Sequence, residues 1–410
     1  MEKSDKWCSE IGVGAVKISD LSKQYIAEVL SQNRLSYGKF SRQFETNFAH
    51  IHGCKYAIFV NSGTSALQIA VAALKEKYGW KEGEEVIVPA LTFVASSNVI
   101  LQNNLNPIFV DVDPKYYNLD PAKIEAAITP KTRAIMVVHL FGQPAEMDRI
   151  MEVAQKHNLR VIEDSCETML AKYADKTVGS WGDISCFSTY ACHIICTGVG
   201  GLALTNNPEL AVMLRSLANH GRDAIYTSMD DDKTEDREEL RMIMNRRFNF
   251  IRNGYSFRAT EMEAALGLAQ LETLEYNISI RRLIASLFNH KLSRWDKQLQ
   301  LPAIHPQAEH SFMMFPVVIK DPKIVREELT LFLEENNIET RPLPPLVNQP
   351  FYKSKYGVNI EDKFPVAKHL NNNGFYIGCH PEISTKEVEY IVKKIDQFME
   401  KKNLNGGITD

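Results

Sequence analysis

The chain has 410 residues, 44% hydrophobic and 24% charged, with a formal net charge of -4. That length exceeds what one compact core needs and predicts two structural units, and the charge offers no basic field for nucleic acid. No apolar run of about 18 residues is present to span a membrane, and the polar start MEKSDKWCSEIGVG has no apolar signal core. The seven cysteines are odd in number and lack framework spacing, which predicts a reducing, cytoplasmic setting. Cys192 and Cys196 have a C-x3-C spacing that invites a metal reading. No second ligand pair lies nearby, so no metal is expected.

In chain order, an N-terminal segment (1–30) precedes a region where apolar runs alternate with helical patterns. YAIFV (56–60) predicts a strand and 64–76 a helix; VIVPA (86–90), PIFVDV (107–112), AIMVVHL (134–140) and LRVIEDS (159–165) predict further strands. Near-continuous apolar strands between helices indicate a mostly parallel sheet covered on both faces. ISCFSTY and GLALTN follow with no helix between them. A charged insertion (226–252) reads as a solvated loop or helix, or as a lid or subunit contact, and precedes a helix over 260–274. The pattern then changes to helix, HSFMMFPVVI, helix, the loop RPLPPLVNQP and a last helix over 385–401. We expect a large α/β domain over 31–278, a smaller α/β domain over 279–400 and a frayed tail over 401–410.

Three stretches can carry chemistry. Asn61-Ser62-Gly63-Thr64-Ser65 follows a strand and opens a helix. Free N–H groups and the helix dipole there favour a phosphate, although Ser and Thr also suit an ordinary N-cap. Glu163-Asp164 ends an apolar strand, where α/β sheets place ligands, although a loop-facing cap fits equally. A buried acid there needs a cationic partner, and a protonated pyridine nitrogen is one candidate. Phe187-Ser188-Thr189-Tyr190-Ala191-Cys192-His193 runs on to Gly200-Gly201, a second close approach to an anion; a lone histidine is more often structural.

The order of these pieces resembles the DegT/DnrJ/EryC1/StrS family of sugar aminotransferases and dehydratases, within fold type I of the pyridoxal phosphate enzymes. The resemblance runs from about Leu35 to Met399 through LSYGKFSRQFETNFAHIHGCKYAIFVNSGTSAL, VPALTFVASSN, VIEDSCET, HGRD and GYSFRATEMEAALGLAQLE. It implies an aspartate-aminotransferase-like fold with a seven-stranded type of sheet, working as a homodimer. It also implies residue roles. Gly63, Thr64 and Ser65 would hold the cofactor phosphate with help from Ser188, and Phe93 would stack on the pyridine ring. Asp164 would pair with the ring nitrogen, and Glu167 would stand beside the cofactor where relatives have Gln or His. Ser256 falls where relatives use Asn to reach the neighbouring subunit's phosphate.

The main departure is at the cofactor lysine, whose place His193 takes, with no lysine between Lys176 and Lys233. Imidazole cannot form the covalent C=N link that a lysine amine forms. Pyridoxal or pyridoxamine phosphate is therefore expected to bind non-covalently. A histidine here is a mark of the family's 3-dehydratase branch, which acts on nucleotide-linked 4-keto-6-deoxy sugars. Phe375-Tyr376-Ile377-Gly378 resembles that branch too, whereas Ile194 and Val199 depart from it. No cysteine lies in 221–254 to hold an iron–sulfur cluster.

The resemblance implies a C3 dehydratase in which His193, titrating near working pH, both takes and gives a proton. An amino donor such as glutamate would restore the amine form of the cofactor. A keto-sugar aminotransferase is the alternative, and a silent cofactor- or sugar-binding relative is a third. His220, Arg222, Arg341 and His380 are candidate sugar contacts.

Overall fold

The computed structural model describes residues 7–223, 235–246 and 248–402. The strands of the first part are β1 (Tyr56–Val60), β2 (Glu85–Pro89), β3 (Asn106–Val110), β4 (Thr132–Val138) and β5 (Arg160–Asp164). A short hairpin, β6 (Lys172–Tyr173) and β7 (Lys176–Thr177), precedes β8 (Ile184–Ser188) and β9 (Gly201–Thr205). Seven of these form one sheet in the order β1-β9-β8-β5-β4-β2-β3. Only β9 runs against the other six, because β8 returns directly into it through a loop without a helix. The expected mostly parallel, seven-stranded sheet is thus present.

Alternate residues of each strand feed opposite layers, as a two-residue repeat requires. Ile58, Val86, Met136, Ile162 and Cys186 face a layer made by helices Gly63–Tyr78, Val94–Gln102 and Pro208–Ala218. Ala57, Phe59, Phe187 and Leu202 turn the other way, toward helices Lys39–Ile51 and Glu261–Leu271. Ile87, Ile135 and Val161 meet helix Met147–Lys156. The buried Glu261 side chain caps helix Lys39–Ile51 from afar, accepting the N–H groups of Gly38, Phe40 and Ser41 at 2.7–2.9 Å.

The later strands are β10 (Leu299–Gln300), β11 (Ala308–Glu309), β12 (Met314–Ile319), β13 (Arg341–Pro342) and β14 (Gly374–Gly378). Four make an antiparallel sheet in the order β10-β12-β14-β13, while β11 joins the β6–β7 hairpin. Helices Leu274–Leu292, Arg326–Glu335 and Thr385–Lys401 bury Phe288, Leu329 and Ile391 against that sheet. The N-terminal segment is not free. Ile11 N–H donates to Asn337 at 2.8 Å, Glu339 N–H donates back to Ile11 at 3.0 Å, and helix Asp20–Ser31 follows. Within the insertion, Arg237–Arg246 is helical, while 224–234 and 247 lie outside the described residues, as do 403–410 of the expected tail.

Two buried histidines, His52 and His310, and the half-buried His193 make stability depend on pH. Burial pushes His52 and His193 down to about 4 and His310 down to about 3. Unfolded imidazoles take a proton near pH 6.5, so between 6.5 and 4 the unfolded chain binds more protons and stability falls as pH falls. Glu167, pushed up to about 7 by burial, opposes this by binding its proton in the fold, but the histidines outnumber it. We expect a loss of up to a few kcal/mol on going from pH 7 to 5. Denaturant melts at the two pH values check it, and equal or greater stability at pH 5 would refute it.

Candidate active site

β1, β2, β5 and β8 run the same way, so the segments after them gather at one edge of the sheet. After β1, Ser62 caps helix Gly63–Tyr78. Its Oγ accepts the Ser65 N–H at 3.0 Å, and the Ser65 hydroxyl donates to Asn61 at 2.7 Å. Thr64 is exposed at this N-terminus, whereas Ser65 is buried. A Cβ on Gly63 would stand 2.8 Å from both Cys166 Sγ and Ser188 Cβ, and one on Gly201 would stand 2.4 Å from Gly63 N. Only glycines allow the helix start, the turn after β5 and the β8–β9 pair to close on one another. The result is a cradle of N–H groups and hydroxyls suited to a phosphate.

At the end of β5, Asp164 is 5% exposed. Its carboxylate accepts the Ser96 hydroxyl at 2.7 Å and the Cys166 N–H at 3.2 Å. Among the described residues no basic side chain pairs with it. A protonated ring nitrogen would supply the cation that such an acid lacks. Phe93 follows β2 and is 61% exposed, an aromatic face that the fold leaves open on the helix carrying Ser96.

The β8–β9 loop is held at its neck by Thr189 N–H to the Gly200 carbonyl (3.0 Å) and Thr197 N–H to the Thr189 carbonyl (2.8 Å). Cys196 N–H to Gln270 (2.9 Å) ties it to helix Glu261–Leu271. His193 stands on this loop, half-buried, with Nδ1 2.7 Å from the Cys166 carbonyl. A carbonyl only accepts, so Nδ1 carries the proton and the lone pair is on Nε2. Burial pushes His193 down to about 4, against the raising effect of the Cys166 bond, and Arg281 lowers it further. This corrects the expectation of an imidazole titrating near neutrality: at pH 7 the group is a neutral base, because desolvation disfavours its charged form.

Glu167 lies in the same turn and accepts the Phe141 N–H at 2.9 Å. Burial pushes it up to about 7, the Phe141 bond pulls it back, and Asp164 adds to the rise. Ser188 is buried at the end of β8. Ser256 is exposed, and within one chain its hydroxyl accepts from Arg258 at 2.8 Å. Of the candidate sugar contacts, His220 lies 3.1 Å from the same Arg258, Arg341 pairs with Glu339, and His380 is buried with Nε2 3.0 Å from the Gly12 carbonyl. Arg222 lines a separate cavity beside β1.

Sequence reasoning missed two supports and left the part played by a third, Glu163, unassigned. Ser96 is the hydroxyl on Asp164, and VPALTFVASSN contained it without marking it. The Cys166 carbonyl, a main-chain group, has no residue signature. Glu163 is fully buried and accepts the N–H groups of Gly179, Trp181 and Gly182, each at 2.7 Å, with His139 Nε2 at 3.1 Å. Burial pushes Glu163 up, but His139 and the glycine N–H groups outweigh it and hold its carboxyl below the usual range.

The sequence profile of the DegT/DnrJ/EryC1/StrS aminotransferase family matches residues 16–396. GDP-perosamine synthase of Caulobacter vibrioides is 34% identical over 393 residues, covering 95% of this chain and 98% of that protein. The dTDP-4-dehydro-2,6-dideoxy-D-glucose 3-dehydratase of Saccharopolyspora spinosa is 33% identical over 401 residues, 95% of this chain and 86% of that protein. Among solved structures, the E. coli GDP-4-keto-6-deoxy-D-mannose-3-dehydratase with bound hydrated PLP superposes with a TM-score of 0.84 at 28% identity, covering 94% of this chain and 99% of that one. No helix among the described residues is long and apolar enough to cross a membrane.

Proposed function

Because the chain belongs to the DegT/DnrJ/EryC1/StrS aminotransferase family, whose sugar-modifying members include dehydratases and aminotransferases, we propose that it is a C3 dehydratase of a nucleotide-linked 4-keto-6-deoxy sugar. Its cofactor is pyridoxal or pyridoxamine phosphate held without a covalent bond, and it works as a homodimer in the cytoplasm. The observation that carries this reading is His193, locked by Cys166 with its Nε2 lone pair available.

When bound, pyridoxamine phosphate supplies an amine for the sugar ketone and a ring that takes up electrons. The chain's own residues bind and move protons. Gly63, Thr64, Ser65 and Ser188 would hold the phosphate, Phe93 would stack on the ring, and Asp164 would keep the ring nitrogen protonated. Glu167 stands beside the ring, and Ser256 serves the neighbouring subunit. His193 is neutral at working pH, so Nε2 would first accept the proton given up by the C4′ carbon of the cofactor. Once charged in a buried place it is a strong acid, and it gives that proton to the departing C3 hydroxyl. An amino donor such as glutamate would restore the cofactor's amine form.

Two experiments test the site. Borohydride treatment of the protein saturated with pyridoxal phosphate is expected to leave its intact mass unchanged, and a covalent adduct would contradict the assignment. Gly201→Ala is expected to push the helix start outward by forcing a Cβ against Gly63 N, 2.4 Å away. Strain of about 1–3 kcal/mol, if it falls on the bound state, corresponds to cofactor affinity about fivefold to a hundredfold lower. An unchanged dissociation constant in an absorbance titration would exclude that cradle.

A second reading, a keto-sugar aminotransferase with His193 as proton shuttle, is favoured by the 34% identity to a GDP-perosamine synthase. An amino sugar as the product would establish it.

A further inference from the structure

Among the described residues, Arg222 is a buried cation with no carboxylate counterpart. Arg222 is 7% exposed, its Nε is buried without a hydrogen-bond partner, and no carboxylate among the described residues pairs with it. The rings of Phe248 and Phe250 each lie 5.6 Å from its Cζ. Aromatic faces attract the charge but do not satisfy the N–H donors of a guanidinium. Arg222 lines a cavity of about 520 Å³ between helix Lys39–Ile51, the edge strand β1 and helix Pro208–Ala218.

Among the described residues, the cavity's one acidic side chain is already committed. Glu45 accepts the Phe59 N–H at 2.8 Å, the Tyr37 hydroxyl at 2.6 Å and Arg215 at 2.9 Å. Lys55 adds a further positive charge at the rim, and Ile58 and Val212 give the lining an apolar part. Lys55 stands at the start of β1, at the opposite edge of the sheet from Ser62. Within one chain this cavity is therefore not continuous with the His193 site.

We infer that this cavity binds an oxyanion, a phosphate or carboxylate group carried on a partly apolar body, with Arg222 as its main ligand. A buried guanidinium N–H left without a partner is costly, and an oxyanion in the cavity fills it with a charge-assisted hydrogen bond. The inference does not depend on which reaction His193 performs.

The test uses the holoenzyme saturated with cofactor, so that the Thr64 cradle is filled. Inorganic phosphate and, separately, succinate are titrated by calorimetry at constant ionic strength. Saturable binding of either is expected, and which of them binds identifies the anion. Arg222→Gln is expected to weaken that binding at least tenfold without altering the cofactor's absorbance. If Arg222→Gln does not fold, Lys55→Gln, at an exposed rim position, is expected to weaken it several-fold. No saturable binding, or equal binding in the variant measured, overturns the inference.

Discussion

Replacing His193 by asparagine is expected to slow single-turnover dehydration by roughly two to four orders of magnitude while the protein still takes up cofactor. An asparagine amide can donate to the Cys166 carbonyl as Nδ1 does, 2.7 Å away, so the loop should keep its place. It has no lone pair of useful basicity where Nε2 stands, and both proton transfers lose their carrier. Binding should persist because the phosphate and ring contacts come from Thr64, Ser65, Ser188, Phe93 and Asp164. His193→Lys should behave differently. It gains a covalent link to pyridoxal phosphate, trapped by borohydride, and loses dehydration, because an amine with an ordinary pKa of about 10.4 is a poor donor at neutral pH. Unchanged dehydration in His193→Asn would remove His193 from the chemistry.

Asp164→Asn is expected to lower the same rate by about a hundredfold to a thousandfold, a loss of about 2.7–4 kcal/mol. The substitution preserves shape: the Ser96 hydroxyl at 2.7 Å can rotate to accept from an amide, and the Cys166 N–H at 3.2 Å still finds an oxygen. What disappears is the charge that favours a protonated ring nitrogen. Cofactor absorbance as a function of pH separates this from misfolding. The variant should bind cofactor whose ring nitrogen has lost its proton-holding partner, and a rate near the parent's would show that Asp164 is not that partner.

The near-continuous apolar runs of YAIFV and LRVIEDS made the sheet legible, because burial on both faces leaves few polar residues in a strand. The phosphate cradle was legible at Ser62-Gly63-Thr64, where a strand gives way to a helix. The missing helix between ISCFSTY and GLALTN was legible, and it is what lets β9 run antiparallel, an orientation that sequence reasoning did not state. Other features were not legible, because they arise from groups distant in sequence or from the main chain. Nothing in VPALTFVASSN singles out Ser96 as the hydroxyl that meets Asp164. The shift of His193 to about 4 depends on desolvation and on Arg281, neither of which its neighbours in sequence reveal. Nor does a polar N-terminus announce that Ile11 will pair with Asn337 and Glu339.

The central claim is that His193 turns an aminotransferase framework toward loss of the C3 hydroxyl. The most direct measurement is the product of one turnover, by mass spectrometry and NMR, when protein loaded with pyridoxamine phosphate meets a nucleotide-linked 4-keto-6-deoxyhexose. The account predicts a sugar that has lost the C3 oxygen and kept no nitrogen, whereas a 4-amino sugar with its C3 hydroxyl intact would contradict it.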